Sequence, residues 1–343
     1  VARFVGVERE RPLPSIERAL SGPGSRDEVS WRRQVKVVAG GQGPGKRDQE
    51  SMDRDRARLP LDGPRRIVFL GCTRGAGQTL TALMTSHILA AVRGAPVAAL
   101  DLNPGATSLA ARRAPAVSVQ ALLAGQEPGH PGHPGHPGHS GHPGHNGHPD
   151  DTDPSGGRLD VIAGPPGHGS NGSNGLDGGR SGNGAAPALA GEDFRRLAAL
   201  LAERYPLTLI DPAPSGLTRV LAAVDQLVLI APASPDAATS LANTQQWLGA
   251  HGHGELAARA VTVVNGVSTR TKDDVLRAES VVRGRCRAIV RVPWDDLLSA
   301  RPGSSSTLHP QTRLAYMALA GVIIAGMAAA SPVPGRNPGE HAD

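Results

Sequence analysis

Apolar residues fall in short blocks along this chain, and the spacing inside each block predicts its element. IVFLGC (67–72) is a continuous apolar run, as expected of a parallel strand covered on both faces. Glycine and polar positions interrupt it at 73–77. A helix is then predicted from about Gln78 to Arg93, stopping at Gly94, which suits a C-cap. PVAALDL (96–102) is a second buried strand, and ATSLAARR and SVQALLAG follow as short helices. RLDVIAG (158–164), PLTLIDPAP (206–214), DQLVLIAP (225–232), RAVTVVNG (259–266) and CRAIVRVP (286–293) are five more apolar strands. GEDFRRLAALLAERY, PDAATSLANTQQWLGAHG and TKDDVLRAESVVRG read as helices between them, the first opening on acidic residues that suit a helix N-terminus. About seven strands alternating with helices predict the α/β class: a doubly wound, mostly parallel sheet with helices on both faces.

Outside these blocks the pattern fails. Residues 1–62 mix charges, Gly and Pro and read as a flexible N-terminal arm, with one short helix expected near Ser15. The ordered domain is expected over 63–331, with low-complexity insertions at 125–157 and 165–187 and a flexible tail at 332–343. The first insertion holds seven Gly-His-X triplets (129–149). Its period suits an extended polyproline-like linker with histidines along one edge, an edge able to bind a transition metal weakly. Leu314–Ala330 is a long uncharged apolar run, read as a buried closing helix, with a membrane-associated tail as the alternative.

Composition narrows the picture. With 343 residues, 44 Gly and 30 Pro, the chain can bury a sizeable core yet leaves much of itself unpacked. The net charge is only +5 and no element carries a basic stripe, so nucleic-acid binding is not expected. RGRCR (283–287) is expected to be solvated surface. Two cysteines and no CxxC suggest a reducing compartment without a zinc site, and the amino-terminal VARFVGVERERPLPS lacks a basic-then-apolar signal pattern, so a cytoplasmic location is the expectation. Cys72, Trp247 and Trp294 are expected as packing residues.

The candidate chemistry gathers where strands end. Asp101, Asp211, Asn265 and Pro293 lie at or just beyond predicted strand ends, beside the turn Cys72–Thr79. In a doubly wound sheet, ligands bind beyond the carboxyl ends of the strands. Gly75, Ala76 and Gly77, leading into a helix, supply the backbone N–H groups that cradle phosphate. Such a loop normally carries Lys and then Ser or Thr; here Gln78 and Thr79 stand there, followed by Leu80. Gln donates a neutral hydrogen bond and leaves phosphate charge uncompensated. No lysine lies between Asp53 and Thr271, which leaves Arg74 as the cation within the loop. No GxGxxG opens the turn, so a dehydrogenase is disfavoured.

TRGAGQTL (73–80) resembles the deviant Walker A motif, KGGxGKTT, of the MinD/ParA group of P-loop ATPases. The resemblance places Thr73 at the signature lysine, Arg74 at the first glycine and Gln78 at the Walker lysine. DLNPG (101–105) is similar to the group's DxDPQ or DxNP tip, and IDPAP (210–214) to its Walker B strand. The resemblance implies that Asp101 orients water or Mg²⁺ and that Asp211 and Thr79 hold Mg²⁺. VVNG (263–266) and VPWD (292–295) match the adenine-side strands, implying Asn265 and Pro293 near the base. Within the group these segments look most like actinobacterial MinD-like proteins associated with type VII secretion.

Three functions follow as expectations, in order. The first is an ATP- and Mg²⁺-binding protein with weak or absent hydrolysis, regulating or positioning a cell-envelope, secretion or partitioning machinery. The second is a nucleotide-free pseudo-ATPase scaffold. The third is an active ATPase in which Arg74 replaces the missing lysine. The partners implied are ATP or ADP and a protein. A nucleotide-dependent homodimer and peripheral contact with the inner face of the membrane remain open.

Overall fold

Ile67 and Phe69 face one side of a sheet and Val68 and Leu70 the other, and all four are buried, as a strand covered on both faces requires. The structure, a computed structural model, describes residues 46–103, 105, 107–126, 128, 157–164, 189–300 and 308–330. The histidine triplets and their expected metal binding, the second insertion and the C-terminal tail lie outside these residues.

The described chain runs α1 (Lys46–Ala57), β1 (Arg65–Gly71), α2 (Gln78–Arg93), β2 (Val97–Leu102), α3 (Leu109–Arg112), β3 (Val117–Ser118), α4 (Val119–Leu123) and β4 (Leu159–Ala163). It continues with α5 (Gly191–Arg204), β5 (Leu207–Pro212), α6 (Leu217–Leu221), β6 (Gln226–Pro232), α7 (Ala237–Ala250) and α8 (Gly254–Ala258). The last elements are β7 (Val261–Val267), α9 (Lys272–Val282), β8 (Ala288–Pro293), α10 (Asp296–Ala300) and α11 (Pro310–Ala330). All eight strands form one parallel sheet in the order β3-β4-β2-β5-β1-β6-β7-β8.

The sheet carries two apolar layers. One holds α2 and α11 through residues such as Leu83, Leu89, Leu319 and Ile323; the other holds α5, α7 and α9 through Leu197, Leu241 and Val275. The eighth strand is β3, whose Val117 lies between the two expected short helices and whose Ser118 opens the second. Its edge position against β4 needs only that short length.

A larger difference lies at the N-terminal side. Residues 46–57, expected within the flexible arm, form helix α1, packed along α11. Its sequence, KRDQESMDRDRA, has almost no apolar stripe, so periodicity could not announce it. Backbone contacts hold it instead. A Cβ on Gly321 would sit 2.6 Å from the Asp53 carbonyl oxygen, so only glycine lets the two helices approach this closely. Arg93 of α2 donates to the carbonyls of Ala57 at 2.7 Å and Leu59 at 3.0 Å, satisfying groups that the end of α1 leaves open. The closing helix spans 310–330 and is mostly buried, as expected of a core helix.

Two further expectations are corrected. Arg287, expected on a solvated surface, is only 5% exposed; its guanidinium donates to the Val322 carbonyl and fills space that a Cβ on Gly326 would take. Burial pulls its pKa down to about 10. Trp294, expected to pack, is 64% exposed. Trp247 packs against the second layer and stacks on His251.

Candidate functional site

The order of strands places β1 between β5 and β6, with β2 on the far side of β5. The chain therefore reverses direction across the sheet at β1, and a crevice opens beyond the carboxyl ends there. Into it run the β1–α2 turn and the ends of β2 and β5, whose Asp101 and Asp211 are register partners.

The turn has the backbone form that its glycines predict. Gly75 and Gly77 take positive φ, +77° and +89°, and Gly77 sits at the N-cap of α2. Ala76 is buried while Arg74 and Gly75 are exposed. Asn265, from the end of β7, donates from Nδ2 to the Ala76 carbonyl at 3.0 Å. A Cβ on Gly77 would lie 2.1 Å from that same Nδ2. Asn265 thus pins the turn from the side.

Gln78 and Thr79, the first residues of α2, bind the Walker B-like carboxylate. The Gln78 Oε1 accepts from Gly71 N–H at 2.7 Å, and its Nε2 donates to Asp211 Oδ1 and to the Pro212 carbonyl at 3.0 Å. Thr79 Oγ1 donates to Asp211 Oδ2 at 2.6 Å. Leu80 points the other way and packs on the core. Asp101 accepts from the backbone N–H of Asn103 at 3.1 Å and of Ala110 at 2.8 Å, fixing the loop after β2.

Both carboxylates are buried, Asp211 completely. Burial raises the Asp211 pKa to about 6; hydrogen bonds from Thr79 and Gln78 oppose it, and the nearby Asp101 charge adds to it. Burial also raises Asp101, against the backbone N–H groups that favour its ionised form. The site concentrates negative charge without an ammonium to balance it.

The structure thus brings Gly75, Ala76, Gly77, Gln78, Thr79, Asp101, Asp211 and Asn265 to one end of the sheet. Pro293 ends β8 beside the β7 bulge at Gly266, and the Trp294 ring lies 3.6 Å from where a Cβ of Gly266 would stand. Arg74 is exposed and hydrogen-bonds to none of the described residues. Two residues were not singled out from sequence. The Asn103 side chain lies near Asp211 and favours its ionised form. Arg112, at the end of α3, feels the Asp211 charge. The pair Arg112–Arg113 following DLNPG was the available signal.

Chemically, Thr79 and Asp211 offer hard oxygens of the kind Mg²⁺ takes, and the glycine turn offers backbone N–H groups to oxyanions. The donor set fits a nucleotide's phosphates and their cation. Gln78 is the departure from it.

A glycine turn leading from β1 into a helix, with acidic ends on two neighbouring parallel strands, defines a doubly wound α/β fold with a phosphate-loop-like turn, the arrangement that the sequence resemblance implies. Among curated proteins, the chain is similar to the ESX-1 secretion-associated protein EspI of Mycobacterium tuberculosis, in two strains, at 28% identity over 257 residues. That match covers 71% of this chain and 34% of the relative, so the chain spans about a third of the length of the curated relatives it matches. Solved structures similar to it are a ParA family ATPase of Chlorobium tepidum (TM-score 0.46, 16% identity, 78% of this chain and 93% of that one) and the MinD cell division protein of Aquifex aeolicus (TM-score 0.45, 14% identity, 79% and 98%). The Aquifex aeolicus MinC:MinD complex also aligns (TM-score 0.47, 12% identity, 79% and 97%). No protein-family model matches the chain.

Proposed function

We propose that this chain is a MinD/ParA-like nucleotide-binding domain, binding ATP with Mg²⁺ but hydrolysing it weakly or not at all, and acting on a protein partner of a secretion machinery. One observation carries the reading: Gln78 occupies the lysine position with its neutral carboxamide bonded between Gly71 N–H and Asp211. Phosphoryl transfer relies on charge placed where it develops, and a carboxamide places none. The hydroxyl–carboxylate pair of Thr79 and Asp211 remains, and it supports a retained cation site. The similarity to a protein named as ESX-1 secretion-associated supports the secretion context.

The same geometry favours one other reading. Each polar group of Gln78, and both carboxylates, already has a hydrogen-bond partner within the chain. A site satisfied in this way is stable without ligand, as a nucleotide-free scaffold requires. Titration of the full chain with fluorescent ATP and Mg²⁺, alongside a phosphate-release assay, separates the readings. Saturable binding without turnover supports the first. No binding at millimolar nucleotide supports the scaffold, and rapid turnover overturns both.

A further inference from the structure

A half-buried cation needs a counter-charge, and Arg112 makes no ion pair among the described residues. It closes α3, whose Ala110 N–H is held by Asp101 Oδ2 at 2.8 Å, so the helix is tied to the acidic end of the sheet. Asp101 in turn sits in register with Asp211, the carboxylate that Thr79 touches at 2.6 Å. The Arg112 Nε donates to the Thr107 carbonyl at 2.9 Å, which fixes the guanidinium, and its terminal nitrogens engage no partner among the described residues. Burial outweighs the attraction of Asp211 and lowers the Arg112 pKa. An added oxyanion would offset that desolvation.

Resting on the nucleotide-binding reading, we propose that Arg112 is the cation of this phosphate site, binding the terminal phosphate oxygens of a nucleoside di- or triphosphate. Two features of the chain support the assignment over Arg74. Arg74 is exposed, where water screens its charge, whereas Arg112 is partly buried and restrained by a backbone hydrogen bond. Guanidinium also suits the role, because its planar fork can pair two phosphate oxygens while Nε keeps its carbonyl. The cation is then placed at the end of α3, the short helix that follows β2, rather than in the turn where the lysine is missing.

The test is a titration of the full chain, R112A, R112K and R74A with fluorescent ATP, ADP and AMP in the presence of Mg²⁺. R112A is expected to lose about tenfold or more in ATP affinity, the scale of one charge-assisted contact, while AMP affinity changes little. R112K is expected to recover part of the loss, and R74A to bind ATP within a few-fold of wild type. The melting temperature of unliganded R112A serves as the control for folding, since the side chain makes one backbone hydrogen bond. Wild-type binding with an unchanged R112A overturns this assignment alone, as does loss in R74A without loss in R112A. A wild-type chain that binds none of the three nucleotides overturns the nucleotide-binding reading and this assignment with it.

Discussion

The carboxamide of Gln78 reaches from the first turn of α2 to the carboxylate of Asp211 at the end of β5, and its other end accepts from Gly71 N–H at 2.7 Å. One neutral side chain therefore ties the glycine turn to the strand that carries the acidic residue. In this position an ammonium would neutralise Asp211; the carboxamide only hydrogen-bonds it. Much of the chemistry expected of this chain follows from that difference.

Gln78→Lys reverses it. The ammonium can pair with Asp211 and reach phosphate, but it cannot accept from Gly71 N–H. Leaving that group unsatisfied costs about 1–3 kcal/mol, against which the new ion pair acts. The unliganded variant is expected to melt close to wild type. Its affinity for ATP with Mg²⁺ is expected to rise about tenfold or more, read by fluorescent-nucleotide titration. An unchanged affinity would show that the carboxamide is not what weakens the site.

Asp211 gives a pH dependence with a definite sign. Its carboxyl stands at about 6 in the folded chain against 3.8 for the free side chain, so folding favours the protonated form. Its contribution to stability is full below about pH 4 and is lost as pH rises through 6. The loss is on the order of 3 kcal/mol, the equivalent of moving a carboxyl from 3.8 to about 6. Asp211→Asn cannot ionise and still accepts from Gln78, while Thr79 can accept from the new amide. The variant is expected to be the more stable of the two at pH 7.5 and nearly equal at pH 4, by urea unfolding without nucleotide. A difference that does not change with pH would place the charge elsewhere.

The strands and the acidic ends were legible in the sequence because each strand is buried on both faces. IVFLGC and PVAALDL need no partner to announce themselves, and Asp101 and Asp211 stand out as the charges that end apolar runs. What stayed hidden depends on partners distant in sequence. Helix α1 is polar and is held by Gly321 and Arg93, neither of which its own periodicity can reveal. Arg287 looks like a surface residue until α11 folds over it and offers the Val322 carbonyl. Gln78 was visible as a replacement, but not as a residue bonded at both ends. Arg112 closes the short helix α3, whose approach to Asp211 only the sheet order creates.

Gly321 tests the seam between α1 and α11. A methyl group there would meet the Asp53 carbonyl oxygen at 2.6 Å and the Arg56 side chain at 3.3 Å, and the first contact is backbone that cannot swing aside. Gly321→Ala would gain about 1 kcal/mol from helix propensity in the absence of that contact. The expected outcome has the opposite sign: a net loss of about 1–3 kcal/mol, the range for overpacking. Hydrogen exchange should locate the loss in residues 46–57. A variant as stable as wild type, with α1 equally protected, would remove the close approach as the reason for glycine.

Gly77 combines two demands that a double substitution can separate. Its φ of +89° is strained for any residue with a Cβ, at a cost of about 1–2 kcal/mol. That Cβ would also lie 2.1 Å from Asn265 Nδ2, which donates to the Ala76 carbonyl. Gly77→Ala must therefore accept the strained backbone and displace Asn265, losing its hydrogen bond to the turn. Asn265→Ala alone loses the hydrogen bond, at about 1 kcal/mol. In the Asn265→Ala background, Gly77→Ala meets only the backbone term. The double variant is expected to be less destabilised than the sum of the two single variants by about 1 kcal/mol or more, read from urea midpoints. Simple additivity would mean that Asn265 moves freely and does not pin the turn. On the proposed nucleotide-binding reading, ATP affinity should follow the same order, because the amides of residues 75–77 can cradle phosphate only while the turn keeps its shape.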